Sequence, residues 1–377
     1  MRHLARPGLG AAALVCGVTR LAEITGLDCI GVPVFQAVRP LSRALCVHQG
    51  KGLTAVEAMT GALMEAIESH QAEMFDAPRR TAPFHALPET ERAPSVLDFA
   101  ATDCGAPGED EPIDWVEARR LADGGRLWVP FEVVSLDFTY RGNVRLDRSS
   151  NGLGAGYGLG QALSKALLEI IERDAHRAWR DQPMHRRSLD RLDEESVPFG
   201  WFHDLGSRLA AAGRRLSIYL QPTPAKLPVI LAEMIAPDTP PGVRGSTYGV
   251  ACHPDPETAL LGAVLEALQS RAAEIAGARD DIPLPSGRGE PARAIGFGFP
   301  LPPGIAARPW PSVAAAFAEP AEVATPRRLR GRLAGCGYAD AAMVDLSPPG
   351  GEVFVVKAVV PGLGGPRRSR RPPPAAR

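Results

Sequence analysis

Two Glu-x-x-Glu pairs carry the spacing most suited to chemistry in this 377-residue chain: Glu65 with Glu68, and Glu169 with Glu172. On a helix, positions i and i+3 share a face, so each pair presents two carboxylates side by side. Their surroundings repeat as well. Ala62-Leu63-Met64-Glu65-Ala66-Ile67-Glu68 returns 104 residues later as Ala166-Leu167-Leu168-Glu169-Ile170-Ile171-Glu172, and the same offset aligns Gly50 with Gly154 and Gly52 with Gly156.

Like charges at this spacing repel. The Ala, Leu, Ile and Met neighbours should half-bury them, so four such carboxylates need cations. Hard oxygen ligands favour Mg²⁺, which keeps positions open for water and phosphate. The glycine segments read as turns whose backbone N–H groups, at helix N-termini, suit phosphate. A solvated helix edge is the alternative for either pair alone. A di-iron carboxylate bundle needs Glu-x-x-His, and neither His70 nor His176 has that spacing. Gly50-Lys51-Gly52 is not a GxxxxGK[ST] phosphate loop, since Leu53 stands where Ser or Thr belongs. Lys51 either touches phosphate as a point charge or is solvated.

The elements that must position these residues follow from the pattern around them. Short strands and turns are expected over 17–49. Thr54 with Glu57 forms a capping box, with Val56, Met59, Leu63 and Ile67 as the apolar stripe behind it. Residues 78–125 look loop-rich, and Leu127 to Val134 reads as a strand. The glycine-rich turn Asn151 to Gly156 leads into a second helix reaching about His176. Strand-like runs surround Ile218 and Val229 to Leu231. Asp255 caps a third helix with Pro256 at its first position, running to about Gly277. From Pro283 to Pro326 the chain should be irregular, and a last strand spans Val353 to Val360.

Composition excludes several classes. Apolar residues make up 45% and charged residues 23%, ordinary for a soluble globular protein. A formal net charge of −1 gives no global field to recruit nucleic acid or a membrane. Six cysteines without CxxC spacing point to neither zinc nor a redox dithiol, and suit a reducing, cytoplasmic setting. The apolar run Ala11 to Val15 is too short for a leader, and no stretch approaches a membrane span.

With these residues in place, the chain resembles the YcaO family from about Gly17 to Leu363. The resemblance rests on Gly17-Val18-Thr19-Arg20, Thr25-Gly26-Leu27-Asp28, Gly31-Val32-Pro33-Val34, Gly50-Lys51-Gly52-Leu53-Thr54, Leu63 to Glu68, Ser150-Asn151-Gly152-Leu153, Leu168 to Ala175, Gln269-Ser270-Arg271 and Val359-Val360-Pro361-Gly362-Leu363. It implies an α+β fold with mixed β-sheets and helices flanking a central ATP/Mg cleft. One YcaO domain would cover 17–365, divisible into pseudo-repeat halves around 17–140 and 141–365, with 366–377 a disordered Arg/Pro-rich tail.

The implied activity is ATP-dependent phosphorylation of a peptide-backbone amide oxygen after a nucleophile has added to the carbonyl. A Cys, Ser or Thr side chain as nucleophile gives an azoline; external sulfide gives a thioamide. The implied Mg²⁺ ligands are Glu65, Glu68, Glu169, Glu172 and Gln161, and the implied ATP contacts are Arg20, Lys51, Asn151, Tyr157, Arg173 and Arg271. No single catalytic residue is assigned. Arg271 would face phosphate, unless it pairs with Glu274 on its own helix. Tyr157 and Gln161 depart from the family's Gly-Asn and following Glu, which leaves a non-catalytic ATP- or peptide-binding scaffold as a third option. Gln161 still lies on the Glu169–Glu172 face, because eleven residues make about three turns. The opening Val18-Thr19-Arg20-Leu21-Ala22, the closing Val360-Pro361-Gly362-Leu363 and the lack of a PxPxP tail resemble members that work with a TfuA partner in peptide thioamide formation. The expected partners are a TfuA-like protein and a peptide or protein substrate, with a homodimer as one option.

Overall fold

A computed structural model describes residues 7–101, 105–143, 145–236, 246–279, 301–318 and 324–363. Helix α1 (Pro7–Val15) leads into strands β1 (Arg20–Glu23), β2 (Val34–Val38) and β3 (Val47–Lys51), then helix α2 (Ala55–Glu73). Leu9 and Ala13 bury α1 in the same core as α2. The capping box at α2 forms as expected: Thr54 accepts from the Glu57 N–H, and Glu57 accepts from the Thr54 N–H. A sheet follows from β4 (Arg80–Ala82), β5 (Ile113–Arg120) and β6 (Arg126–Pro130), ending in the helical turn α3 (Phe131–Val134).

Two sequence expectations are corrected here. The 78–125 stretch contains β5, whose Ile113, Trp115, Val116 and Ala118 are buried between three partner strands. The strand expected to reach Val134 stops at Pro130. Proline offers no N–H to a ladder, and a helical turn buries Phe131, Val133 and Val134 on one side where a strand would alternate them.

The second half begins with β7 (Leu153–Gly156) and the 22-residue α4 (Leu159–Arg180). Then come α5 (Met184–Arg187), β8 (Leu192–Asp193), α6 (Gly200–Ala211), β9 (Arg215–Gln221), β10 (Val229–Ile235) and β11 (Ser246–Cys252). Helix α7 (Pro256–Ala276) starts at an Asp255 side chain that accepts from the Thr258 N–H, and ends at Gly277 with φ 58°. After it lie β12 (Arg308–Pro309), α8 (Trp310–Ala316), α9 (Pro326–Gly335), β13 (Ala342–Asp345) and β14 (Phe354–Val359). So the described part of the stretch expected to be irregular, up to Pro326, contains a short helix. Residues 280–300 and the tail 366–377 lie outside the described residues.

The sheets are antiparallel except for the short pair β8–β12: β1-β2-β3, β9-β10-β11, and β4-β5-β13-β14-β7 with β6 on β5. The glycine segments expected as turns are strands. Gly50 pairs with Phe35 on β2, and Gly154 with Val356 on β14. Glycine is needed because each strand lies against helix backbone. A Cβ on Gly50 would sit 2.0 Å from the Ala58 carbonyl oxygen, and one on Gly154 would sit 2.4 Å from that of Ala162.

Three such strand–helix units close on one another. Helix α2 packs on β3 and reaches β7; α4 packs on β7 and reaches β11; α7 packs on β11 and returns to β3. The strand–helix packing thus occurs three times. Among the described residues no helix is long and apolar enough to cross a membrane.

Candidate active site: a carboxylate ring between three helices

The closed arrangement brings carboxylates of the three helices close enough to act on one another. Helix α2 brings Glu65 and Glu68, α4 brings Glu169 and Glu172, and α7 brings Glu266. The structure thus gathers both pairs expected from the sequence and adds a fifth carboxylate. Glu266 was not foreseen, although Ala263-Val264-Leu265-Glu266-Ala267-Leu268-Gln269 repeats the motif with Gln in the last place.

Backbone at the strand ends fixes these side chains. Glu65 accepts from the Gln49 N–H at 3.0 Å on β3, and Glu172 accepts from the Cys252 N–H at 3.1 Å on β11. Glu68 accepts from the Ala155 backbone on β7. Each strand therefore orients one carboxylate by one amide.

Burial and mutual repulsion dominate the electrostatics of this carboxylate ring. Burial pushes Glu65 up to about 7, against the pull of the Gln49 amide. Burial, then Glu169 and Glu65, push Glu68 up to about 8. Burial also raises Glu169. Burial, Glu266 and Glu169 hold Glu172 well above the usual carboxylate range. Among the described residues, no three carboxylate, imidazole or thiol groups are drawn around one point; the carboxylates act on one another across the ring. An all-oxygen donor set whose members raise one another's pKa fits a hard divalent cation such as Mg²⁺.

The remaining sequence candidates divide. Lys51 is part-exposed and paired: its Nζ lies 2.7 Å from Glu266. Arg173 contacts Glu169 at 2.6 Å and the Ser150 hydroxyl at 3.3 Å. Although burial opposes it, the surrounding Glu169, Glu172 and Glu266 raise its pKa. Asn151 follows Ser150, and its Oδ1 is buried with no hydrogen-bond partner. Arg271 pairs with Asp28 at 3.0 Å, beside the turn Thr25–Leu27. Arg20 is exposed on the outer strand β1.

Gln161 and Tyr157 form a local cap. The Gln161 side-chain oxygen accepts the Tyr157 N–H at 2.9 Å, as Glu57 accepts from Leu53 and Thr54 one repeat earlier. Gln161 also lies eight residues from Glu169, about 12 Å along the helix axis. It shares the face but not the location.

Two further cations escaped notice in the sequence. Lys165 lies on α4 one turn before Glu169 and acts on Glu68. Lys357, on β14, is buried and donates to the Ser149 carbonyl at 2.7 Å. Burial pushes it down to about 8, opposed by Asp147, Glu169 and Glu68. A separate cavity of about 890 Å³, whose lining includes Gln71, Arg119 and Asp345, contains none of the ring carboxylates.

The comparison that decides the class is a family model described as YcaO cyclodehydratase, ATP- and Mg²⁺-binding, which matches residues 49–364. The chain belongs to the YcaO family. ATP and Mg²⁺ are accordingly its nucleotide and metal. A relative is an uncharacterised protein of the tfuA 3′ region in Rhizobium leguminosarum bv. trifolii, 34% identical over 272 residues. The match covers 71% of this chain and 64% of that relative. An uncharacterised protein of Methanothermobacter thermautotrophicus is 32% identical over 382 residues, covering 92% of this chain and 90% of that one.

Among solved structures, YcaO from Methanopyrus kandleri bound with AMPPCP and Mg²⁺ matches with TM-score 0.69 at 23% identity, covering 96% of this chain and 93% of that one. A heterocyclase in complex with substrate and cofactor matches with TM-score 0.73 at 19% identity, covering 92% of this chain and 50% of that one. These likenesses establish the YcaO fold, mixed sheets with flanking helices, as the sequence implied.

Proposed function

We propose that this protein uses Mg-ATP to activate a peptide-backbone amide for thioamide formation, working with a TfuA-like partner. The observation that carries the first part is the carboxylate ring: five carboxylates from three helices, with Glu65, Glu68 and Glu172 pushed toward protonation by burial, and Glu68 and Glu172 further by neighbouring carboxylates. The relative of the tfuA 3′ region supports the second part.

The amide oxygen is a very poor leaving group, so the difficulty lies in activating it and aligning the nucleophile. When bound, ATP supplies the phosphoryl group that makes this oxygen leave, and Mg²⁺ neutralises the triphosphate. The chain's residues bind and orient. Glu65, Glu68, Glu169 and Glu172 hold Mg²⁺, with Glu266 as a fifth ligand. Arg173 and Lys51 attract phosphate oxygens. The unpartnered Oδ1 of Asn151 accepts from a hydroxyl or amino group of the nucleoside. Arg271 reaches the nucleotide only by leaving Asp28. Gln161 shapes the start of α4 through its bond to Tyr157 and stays outside the metal shell.

The test combines the chain, a TfuA-like partner, Mg-ATP, a sulfide source and a candidate peptide. The expected result is release of ADP and phosphate, with one amide oxygen of the peptide replaced by sulfur. Loss of water, with a Cys, Ser or Thr side chain consumed, gives an azoline instead, the outcome that fits the family description of a cyclodehydratase. Absence of nucleotide turnover under every condition makes the chain a binding scaffold and sinks the enzymatic reading.

A further inference from the structure

Of the chain's 42 basic side chains, 38 are arginine and only four are lysine: Lys51, Lys165, Lys226 and Lys357. Three of these four act on the carboxylate ring, and each comes from a different element. Lys51 ends β3, with its Nζ 2.7 Å from Glu266, and its charge also acts on Glu65 and Glu172. Lys165 lies on α4 and acts on Glu68 of α2. Lys357 lies beneath, on β14, and acts on Glu169 and Glu68. A chain with only four lysines places three of them here, beside Arg173, which holds Glu169 at 2.6 Å.

The two cations hold carboxylates differently. Guanidinium is planar and forms two parallel bonds in a fixed fork; ammonium is a compact point charge on a flexible stem, held by single contacts. Helix α2 displays the contrast within one element. Near its C-terminal end, Glu73 is clamped by Arg39 through two bonds of 3.0 and 2.7 Å, and both residues are buried. Two turns earlier, Glu65 and Glu68 have no such clamp among the described residues, only lysines and one arginine acting on them from a distance. The clamped carboxylate is structural. The ring carboxylates must exchange partners when a metal enters.

We propose that Lys51, Lys165 and Lys357 are resting counter-ions of the ring, ammonium groups that offset part of its charge in the metal-free protein, and that Lys51 and Lys165 yield their carboxylates to Mg²⁺. The proposal rests on the ring being the Mg²⁺ site and goes beyond it, because it assigns lysine rather than arginine a displaceable role. Lys51 and Lys165 are the exchangeable pair. Lys357, buried and tied to the Ser149 carbonyl, is the fixed one.

The experiment uses the full chain stripped of metal by chelator and titrated calorimetrically with MgCl₂ alone, alongside thermal unfolding without Mg²⁺. The Lys51→Met/Lys165→Met double variant should melt lower in the absence of metal. It should also bind Mg²⁺ tighter by roughly fivefold or more, the scale of losing one screened competing charge. The Lys51→Arg/Lys165→Arg double variant should keep its metal-free melting temperature and bind Mg²⁺ more weakly than wild type, because a fork is harder to displace. Wild-type Mg²⁺ affinity with no change, or a weakening, in the Met variant overturns the counter-ion role alone. A wild-type chain that binds no Mg²⁺ overturns the metal site and the counter-ion role together.

Discussion

Lys51 and Glu266 lie 215 positions apart in sequence and meet at 2.7 Å, joining the first strand–helix unit to the third. This contact ties β3 to α7 at the point where the ring closes. Removing it by Lys51→Met should leave Glu266 uncompensated among neighbouring carboxylates. The expected outcome is a lower melting temperature that Mg²⁺ restores, read by thermal unfolding with and without the ion.

Glu172 is held well above the usual carboxylate range by burial, Glu266 and Glu169. Glu172→Gln keeps an oxygen to accept the Cys252 N–H and removes the charge that its neighbours oppose. The fold should stay intact and become no less stable, while Mg²⁺-dependent affinity for a non-hydrolysable ATP analogue falls by about tenfold or more. Unchanged affinity by calorimetry would remove Glu172 from the ligand set.

The pH dependence has a fixed direction. Glu65 titrates at about 7 and Glu68 at about 8 in the folded chain, both above the unfolded carboxylate value. Without metal, their contribution to stability is complete below the unfolded pKa and is lost as pH rises through about 7 to 8. Metal must displace those protons, so Mg²⁺ affinity should climb between pH 6 and 8 and then level. Calorimetry in buffers of different ionisation enthalpy should detect proton release below pH 8 and little above it.

Gln161→Glu places at this position the carboxylate that the family resemblance implies. The new carboxylate should still accept the Tyr157 N–H and gain from the helix N-terminus, by about 0.5 kcal/mol. Lying about 12 Å along the helix from Glu169, it should change Mg²⁺ affinity less than twofold. A larger gain by titration would place this position in the metal shell after all.

Gly154→Ala tests the close strand–helix contact. Its Cβ would lie 2.4 Å from the Ala162 carbonyl oxygen and 2.9 Å from the Ala166 nitrogen, and backbone cannot swing away as a side chain can. The expected cost is about 2–3 kcal/mol, measured by denaturant unfolding, with weaker metal binding because α4 shifts.

Much of this was legible in the residues. The capping box at Thr54, the Asp255 cap with Pro256, and the two Glu pairs carry local signals that tertiary structure did not override. Other features depended on distant partners. β5 is stabilised by pairing with β4, β6 and β13, and only the last two of its residues meet β13. The glycines at 50 and 154 looked like turns because glycine more often signals a turn than a strand pressed on a helix. Glu266 was hidden by the Gln269 that replaces the second Glu of its motif. Lys51 stood out beside its glycines, but Lys165 and Lys357 did not, because their meaning depends on where three helices and the strands β3 and β14 converge.

The ring has a consequence for a chain made from its N-terminus. The first two Glu pairs emerge well before α7 brings Glu266, and before β14 brings the ammonium of Lys357 beneath them. Synthesis at about 5–20 residues per second leaves that interval several seconds long. During it, the nascent polypeptide carries concentrated negative charge with only part of its compensation. Nucleotide affinity should therefore appear abruptly, late in translation, rather than accumulate as successive segments fold.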